Sequence, residues 1–170
     1  MTYRPDIDGL RAIAVLAVVF FHLNISLFSG GYVGVDVFFV ISGFLITSII
    51  ESKCLLNRFS FSDFYLRRVR RLIPALTVTI AASYIGAAVL FSPDDLMSMA
   101  RSAVAAQFSL SNILFSFEAG YWDAASELKP LLHTWSLGVE EQFYLFWPAL
   151  VVFLAASSRR RYLGPDRLLL

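Results

Sequence analysis

The sequence predicts an all-α fold: a polytopic bundle of about four transmembrane helices, with one further interfacial or re-entrant helical segment. Three observations lead to this prediction. Hydrophobic residues make up 58% of the 170 residues and charged residues only 16%, against ~25% charged in ordinary soluble domains. The apolar residues form long runs, which is the pattern of helices that cross a membrane. Lysines and arginines cluster at the ends of these runs, as the topology of membrane proteins requires.

Four apolar runs supply the predicted spans, which cover residues 10–28, 33–50, 72–91 and 143–156. A further segment, 97–117, is apolar enough to be helical, but it contains Arg101, Gln107, Asn112 and five serines. We expect this segment to lie at the outer face of the membrane or to re-enter without crossing, because polar groups inside the hydrocarbon are costly.

The distribution of positive charge predicts that both chain termini lie in the cytoplasm. With four spans, residues 94–141 face the exterior and carry only Arg101 and Lys129, while the other lysines and arginines stay inside. If 97–117 also crossed, the cluster Arg159–Arg161 would lie outside, against the positive-inside rule.

Charge and cysteine content exclude several classes of protein. The formal net charge is +1, so no global charge points to a nucleic-acid partner. Cys54 is the one cysteine in the sequence, which excludes an intrachain disulfide framework. Two histidines without an H-E-x-x-H or H-x-x-E-H pattern predict no metal site. The sequence has no G-x-S-x-G elbow and no phosphate-binding glycine loop.

The first apolar run carries a cation and an imidazole at a helical spacing. Arg11 and His22 are eleven residues apart, which is ~1,100° of helical rotation, or ~20° past three full turns. They therefore share one helix face. Ionisable groups inside a span usually face the bundle interior or a water-filled cavity. Two interpretations stay open: a site residue at His22, or a packing histidine with Arg11 as a topology anchor.

The second run carries Asp36, Ser42, Gly43 and Thr47. Asp36, Gly43 and Thr47 lie on one helix face by the same angular count. Asp36 is either a dipole partner at a helix N-terminus or a carboxylate of a site.

Two further clusters are candidates for chemistry. Four arginines occur in the five positions 67–71, directly before the third run. They are either lipid-binding anchors or a phosphate cradle, because guanidinium groups pair bidentately with phosphate. His133, Trp135, Glu140 and Glu141 precede the last run. They form either an aromatic belt with solvated acids or part of a polar site.

These motifs together resemble the acyltransferase-3 family, the integral-membrane O-acyltransferases of the O-antigen acetylase type. The resemblance covers nearly all of residues 3–150. It rests on YRPDIDGLRA at 3–12, R-x10-H at Arg11 and His22, GGYVGVDVFFVISGFLI at 30–46, R-x-x-R at Arg68 and Arg71, and HTWSLGVEEQFY at 133–144.

The resemblance implies a multi-pass enzyme of the bacterial inner membrane with a cytoplasmic N-terminus. It implies transfer of an acyl group, usually acetyl from acetyl-CoA, to a hydroxyl of a cell-surface carbohydrate such as O-antigen, exopolysaccharide or peptidoglycan. The implied partners are membrane lipid, acyl-CoA and the carbohydrate acceptor, with no nucleic acid and no metal cofactor.

The resemblance also implies roles for individual residues. Catalysis falls to His22 and Glu141, and binding of acyl-CoA to Arg11, Arg68 and Arg71. Binding of the acceptor, or support of the site, falls to Asp36, Ser42, His133, Trp135 and Glu140. A neutral imidazole in an apolar site is suited to act as a general base, and it is also suited to carry the acyl group as a nucleophile; both alternatives stay open.

Members of the family have more spans than the four predicted here. We therefore expect this chain to be the N-terminal part of such a domain, with further helices or a periplasmic hydrolase-like domain as partners. Two other hypotheses remain. One is a transporter component for polysaccharide or lipid-linked sugar, with Arg11, His22 and Asp36 along the translocation path. The other is an inactive fragment that needs the missing helices.

Overall fold

The computed structural model describes residues 4–118 and 128–162, with side chains up to residue 157. The described residues form helices and turns without a strand, which confirms the all-α prediction. The α-helices are α1 Pro5–His22, α2 Gly34–Leu55, α3 Phe61–Leu90, α4 Pro93–Gln107, α5 Ser111–Glu118 and α6 Thr134–Tyr162. Two short 3-10 turns, Ser26–Phe28 and Gly31–Val33, connect α1 to α2.

Three helical stretches of the described chain are long and apolar enough to cross a membrane. They are Gly31–Leu55, Phe61–Leu90 and Thr134–Ser157, with mean hydropathies of 2.2, 1.8 and 1.3. Helix α1 is not among them, because its 18 residues include Asp6, Asp8 and Arg11. The first predicted span, 10–28, therefore stays a prediction.

Helix α1 ends earlier than the apolar run does, because Asn24 adopts a left-handed conformation with φ 54°. The Asn24 and Ile25 amides donate back to the carbonyls of Phe21 and Phe20 at 3.0 and 3.1 Å. This is the pattern of a Schellman C-cap, in which asparagine is the residue that most often replaces glycine. His22 therefore lies in the last turn of α1 instead of the middle of a longer helix.

The segment 97–117 forms two helices where the sequence predicted one. Helix α4 ends at Gln107, and Ser109 has φ 56° in the break before α5. The Leu110 amide donates to the carbonyl of Ala105 at 2.8 Å, again as in a Schellman cap. At 15 and 8 residues, both helices are shorter than the ~20 residues of a spanning helix.

Helix α3 begins well before the third predicted span. Ser60 caps it by accepting a hydrogen bond from the Asp63 amide at 3.3 Å, so the helix includes the whole arginine cluster. Pro74, the third residue of the predicted span 72–91, is therefore inside the helix. A proline there removes one backbone hydrogen bond, and the helix continues past it to Leu90.

The chain forms two compact units. The first combines residues up to Phe59 with those from Trp147 onward, and the second is Ser60–Phe146. The core of the second unit contains Ala87 of α3, Met99 and Ala106 of α4, and Leu131.

Two glycines allow α1 and the start of α2 to approach closely within the first unit. A Cβ on Gly31 would lie less than 3.0 Å from the Ala17 carbonyl oxygen, and one on Gly34 less than 3.0 Å from that of Ala14. These obstacles are backbone atoms, so no side-chain rotation relieves them. By contrast, a Cβ on Gly30 meets nothing within 4 Å.

We therefore expect Gly34→Ala to destabilise the first unit by ~1–3 kcal/mol, as overpacking in well-packed interiors does. Gly30→Ala, one turn earlier, is the matched control and should leave stability nearly unchanged. Thermal unfolding of the detergent-solubilised protein measures both. Equal melting temperatures for the two variants would contradict the close approach.

Candidate functional site

The predicted site residues divide between the two compact units. Those of the first unit are Arg11, His22, Asp36 and Ser42, and those of the second are Arg68, Arg71, His133, Trp135, Glu140 and Glu141.

His22 is exposed at the end of α1, and its ring is held in one orientation. Its Nδ1 lies 2.8 Å from the carbonyl oxygen of Val18. A carbonyl only accepts hydrogen bonds, so Nδ1 carries the proton and donates it. In a neutral ring, Nε2 then has a free lone pair. This is the form of imidazole that accepts a proton or attacks an electrophile.

Arg11 and His22 lie on the same helix, as the spacing predicted, with ~16 Å of rise between them. Arg11 has an acidic neighbour that the sequence analysis did not assign to it: its Nη1 lies 3.7 Å from Asp8 Oδ1. Both side chains are more than a third exposed, so this pair contributes little to stability.

A second exposed ion pair lies at the start of the chain, where Arg4 Nη2 is 2.6 Å from Asp6 Oδ2. The hydrogen bond from Arg4 lowers the pKa of Asp6 to about 2. Arg11 pairs with Asp8, three residues earlier on α1, because side chains at this spacing are neighbours on a helix.

Asp36 is exposed in the first turn of α2, where a carboxylate interacts favourably with the helix dipole. Ser42 is half-buried on the same helix. Thr47, predicted on the face of Asp36, donates to the Gly43 carbonyl at 2.7 Å and accepts from Trp147 Nε1 at 2.7 Å. Trp147 was not predicted from the sequence to contact Thr47, since the two residues are 100 positions apart.

The second unit brings Arg68 and Glu141 together. Arg68 Nη2 lies 3.0 Å from Glu141 Oε1, and the two side chains are 24% and 18% exposed. The guanidinium carbon of Arg68 lies 3.4 Å from the ring centroid of Tyr144. The Tyr144 hydroxyl donates to Glu140 Oε1 one helical turn earlier. We call Arg68, Glu140, Glu141 and Tyr144 the Arg68 cluster.

The Arg68 cluster bears on the predicted topology. The charge distribution placed Arg68 at the inner boundary and Glu141 outside. A 3.0 Å ion pair places both side chains at the same depth, since side chains do not bridge a hydrocarbon core of ~30 Å. The four-span topology stays a prediction, and the depth of this pair is the quantity that tests it. Charge counting treats each cation as a solvated anchor and does not include ion pairs between helices.

The other candidates of the second unit lie at its surface. Arg71 is exposed on α3, one turn after Arg68. His133 is exposed in the turn before α6, and its carbonyl accepts a hydrogen bond from Ser136 Oγ at 3.1 Å. The side chain of Trp135 is also exposed, in the first turn of α6.

A network of amide side chains, absent from the sequence predictions, joins α5 to α6 beside Glu141. Gln142 Nε2 donates to the Ser109 carbonyl and to Asn112 Oδ1, both at 2.9 Å. Asn112 Nδ2 donates to Gln142 Oε1 at 3.1 Å. A Cβ on Gly138 would lie 2.7 Å from Asn112 Oδ1, so a glycine at this position leaves room for the network.

An open groove of about 610 Å³ between α4 and α5 contributes no second polar site. Its lining is apolar apart from Arg101, which is the only charged residue among those that line it. Such walls do not satisfy the hydroxyls of a sugar or several phosphates. Within 4–118 and 128–162, no group of three His, Cys, Asp or Glu residues is placed to hold a metal ion.

Comparison with known proteins identifies the family. A family model described as an acyltransferase domain matches residues 4–165, nearly the whole chain. The chain belongs to this acyltransferase family. The resemblance that the motifs carried is thereby confirmed. No solved structure is significantly similar to the chain.

Curated relatives are similar to most of the chain. The chain is 48% identical over 155 residues to the peptidoglycan O-acetyltransferase OatA of Listeria monocytogenes, covering 89% of this chain and 25% of the relative. It is 43% identical over 152 residues to the putative peptidoglycan O-acetyltransferase YrhL of Bacillus subtilis, covering 88% and 24%. It is 42% identical over 161 residues to the O-acetyltransferase OatA of Staphylococcus aureus, covering 94% and 26%. The chain thus spans about a quarter of the length of these relatives.

Proposed function

We propose that the protein is a membrane-bound O-acetyltransferase of the bacterial inner membrane, which transfers acetyl from acetyl-CoA to a hydroxyl of peptidoglycan. The family match over residues 4–165 and the two relatives named for peptidoglycan support the reaction class and the acceptor. The observation that carries the chemistry is the hydrogen bond from His22 Nδ1 to the Val18 carbonyl, because it leaves Nε2 as a free base.

In the first form of the reaction, His22 is a general base. Nε2 takes the proton of the acceptor hydroxyl while that oxygen attacks the thioester carbonyl. The carbon–sulfur bond then breaks, the acetyl ester remains on the sugar, and the CoA thiolate leaves. The imidazolium returns its proton to the thiolate. No oxidant or reductant is needed.

In the second form, Nε2 itself attacks the thioester carbonyl. The CoA thiolate leaves, and an N-acetylimidazolium forms on His22, because Nδ1 keeps its proton. The acceptor hydroxyl then attacks this acetyl group, its proton passes to the CoA thiolate or to water, and the neutral histidine returns. The two forms differ in whether a covalent acetyl-enzyme accumulates when acceptor is withheld.

For the donor, we propose that Arg71 of the second unit binds phosphate of CoA. Arg71 is exposed, and a guanidinium group donates bidentately to phosphate. Arg68 carries the matching motif position, but its Nη2 already donates to Glu141. For the acceptor, we propose Glu140, His133 and the exposed ring of Trp135. For Asp36 and Ser42, we propose supporting roles within the first unit, which also contains His22.

A transfer assay tests this function. Membranes containing the protein, expressed from its whole gene, receive acetyl-CoA labelled in the acetyl group together with peptidoglycan fragments. We expect base-labile label on the fragments, as an ester requires. Labelled acetyl-CoA that is consumed without ester formation, or fragments that are transported but not acetylated, would contradict the proposal.

Donor binding gives a separate prediction. Arg71→Ala should weaken CoA binding ~10- to 100-fold, because a charge-assisted hydrogen bond contributes ~1.5–3 kcal/mol. Arg71→Lys should recover only part of the lost CoA affinity, since an ammonium group lacks the planar set of N–H donors of a guanidinium. Titration calorimetry with CoA on the detergent-solubilised protein measures the affinity. Arg70→Ala removes the same charge from an adjacent exposed position and is the control. Equal losses of CoA affinity in the two alanine variants would mean that Arg71 contributes only its charge.

A further inference from the structure

We propose that Tyr144 is a positioning residue of the acyltransferase reaction: its ring holds the Arg68 guanidinium so that Arg68 orients the Glu141 carboxylate. This inference rests on the proposed function. None of the residue roles implied by the family motifs includes Tyr144.

The ring of Tyr144 is buried beneath the guanidinium group. Tyr144 is 3% exposed, and the guanidinium carbon of Arg68 lies 3.4 Å from its ring centroid. This is within the range of a cation–π contact, which strengthens when both groups are shielded from water. The contact joins α3 to α6 at residues far apart in the sequence.

Arg68 depends on this ring because its other contacts leave it incompletely held. Nη2 donates to Glu141 at 3.0 Å. Nε is buried and has no hydrogen-bond partner among the described residues. A planar guanidinium held by one carboxylate through one nitrogen is free to rotate, whereas stacking on an aromatic face defines its plane. The plane of Arg68 in turn defines where Glu141 points.

The Tyr144 hydroxyl fixes the ring itself. It donates to Glu140 Oε1, four residues earlier on α6. At this spacing the two side chains are neighbours on one helix face. The hydroxyl therefore limits rotation of the ring and ties Glu140 into the cluster. The ring acts on Arg68 and the hydroxyl acts on the ring, so the two parts of Tyr144 have separable effects.

The test separates the electrostatic role of the ring from its volume. Phenylalanine, and phenylalanines with one, two or three ring fluorines, are incorporated at position 144 of the protein expressed from its whole gene. Fluorine withdraws charge from the ring face with little change of shape. We expect Tyr144→Phe to keep kcat within about threefold, and kcat to fall stepwise with fluorine number to ~5- to 30-fold below it, as a contact of ~1–2 kcal/mol implies. KM for acetyl-CoA should change little. The kcat of Tyr144→Leu should be at least as low as that of the variant with the trifluorinated ring.

Three controls make the outcome decisive. Phe146→Leu, at a 70% exposed position of the same helix, should retain wild-type kcat. In an Arg68→Gln background, Tyr144→Leu should cause no further loss, because the ring then has no cation to hold. Two results would overturn the positioning role while leaving the proposed function intact. One is that the losses of kcat from Arg68→Gln and Tyr144→Leu add in the double variant. The other is that kcat does not depend on the number of fluorines. A wild-type protein without acetyl transfer would instead overturn the proposed function, and this inference with it.

Discussion

We expect His22→Gln to abolish acetylation of the acceptor while the protein still inserts in membranes. Glutamine keeps a similar volume and a hydrogen-bonding amide, but it lacks a basic lone pair. Loss of a general base costs ~10²- to 10⁴-fold in rate, and loss of an obligatory acetyl carrier costs more. The measurement is base-labile acetate on peptidoglycan, normalised to the amount of protein in the membrane.

His22→Ala is the companion variant. It should be as inactive as His22→Gln. Added imidazole should restore activity, since its ring supplies the missing base or nucleophile. Withholding acceptor then separates the two forms of the reaction, because only the carrier form leaves labelled acetyl on the wild-type protein. Substantial product from His22→Gln would mean that the ring only packs. The base would then be sought at Asp36 and the Glu140–Glu141 pair.

We expect Glu141→Gln to destabilise the second unit and to stop the reaction at the same time. Arg68 and Glu141 are 24% and 18% exposed, and removing one partner of a buried pair costs ~3–5 kcal/mol because the other charge is left uncompensated. Because this pair is partly exposed, we expect the free energy of unfolding to fall by an amount at the lower end of this range, ~3 kcal/mol. Thermal unfolding in detergent measures it.

The double variant Arg68→Met/Glu141→Leu separates structure from chemistry. It removes both charges, so it should recover most of the melting temperature, as apolar replacements of buried pairs do, without recovering acetyl transfer. Asp6→Asn breaks the exposed Arg4–Asp6 pair and is the control, with little expected change in melting temperature. Activity restored in the double variant would show that Glu141 acts only by pairing with Arg68.

The sequence by itself determined the helices and the family. Long apolar runs with charge mainly at their ends predicted an all-α membrane bundle, because a helix hydrogen-bonds all backbone groups of a long segment within that segment. Helical spacing placed Arg11 and His22 on one face, since both belong to the same helix. One local signal was overlooked: Asn24 two residues after His22 is a recognisable C-cap residue, and it ends α1 before the apolar run does.

Tertiary structure alone decided which helices share a site. Periodicity describes the faces of one helix but not the register of two, so the pairing of Arg68 with Glu141, 73 positions away, has no signature in the sequence. The same holds for Trp147 on Thr47. Nothing in the sequence indicates that Gly31 and Gly34 lie against the backbone carbonyls of Ala17 and Ala14. The distance between two helix backbones depends on both partners, and one run of residues carries information about only one of them.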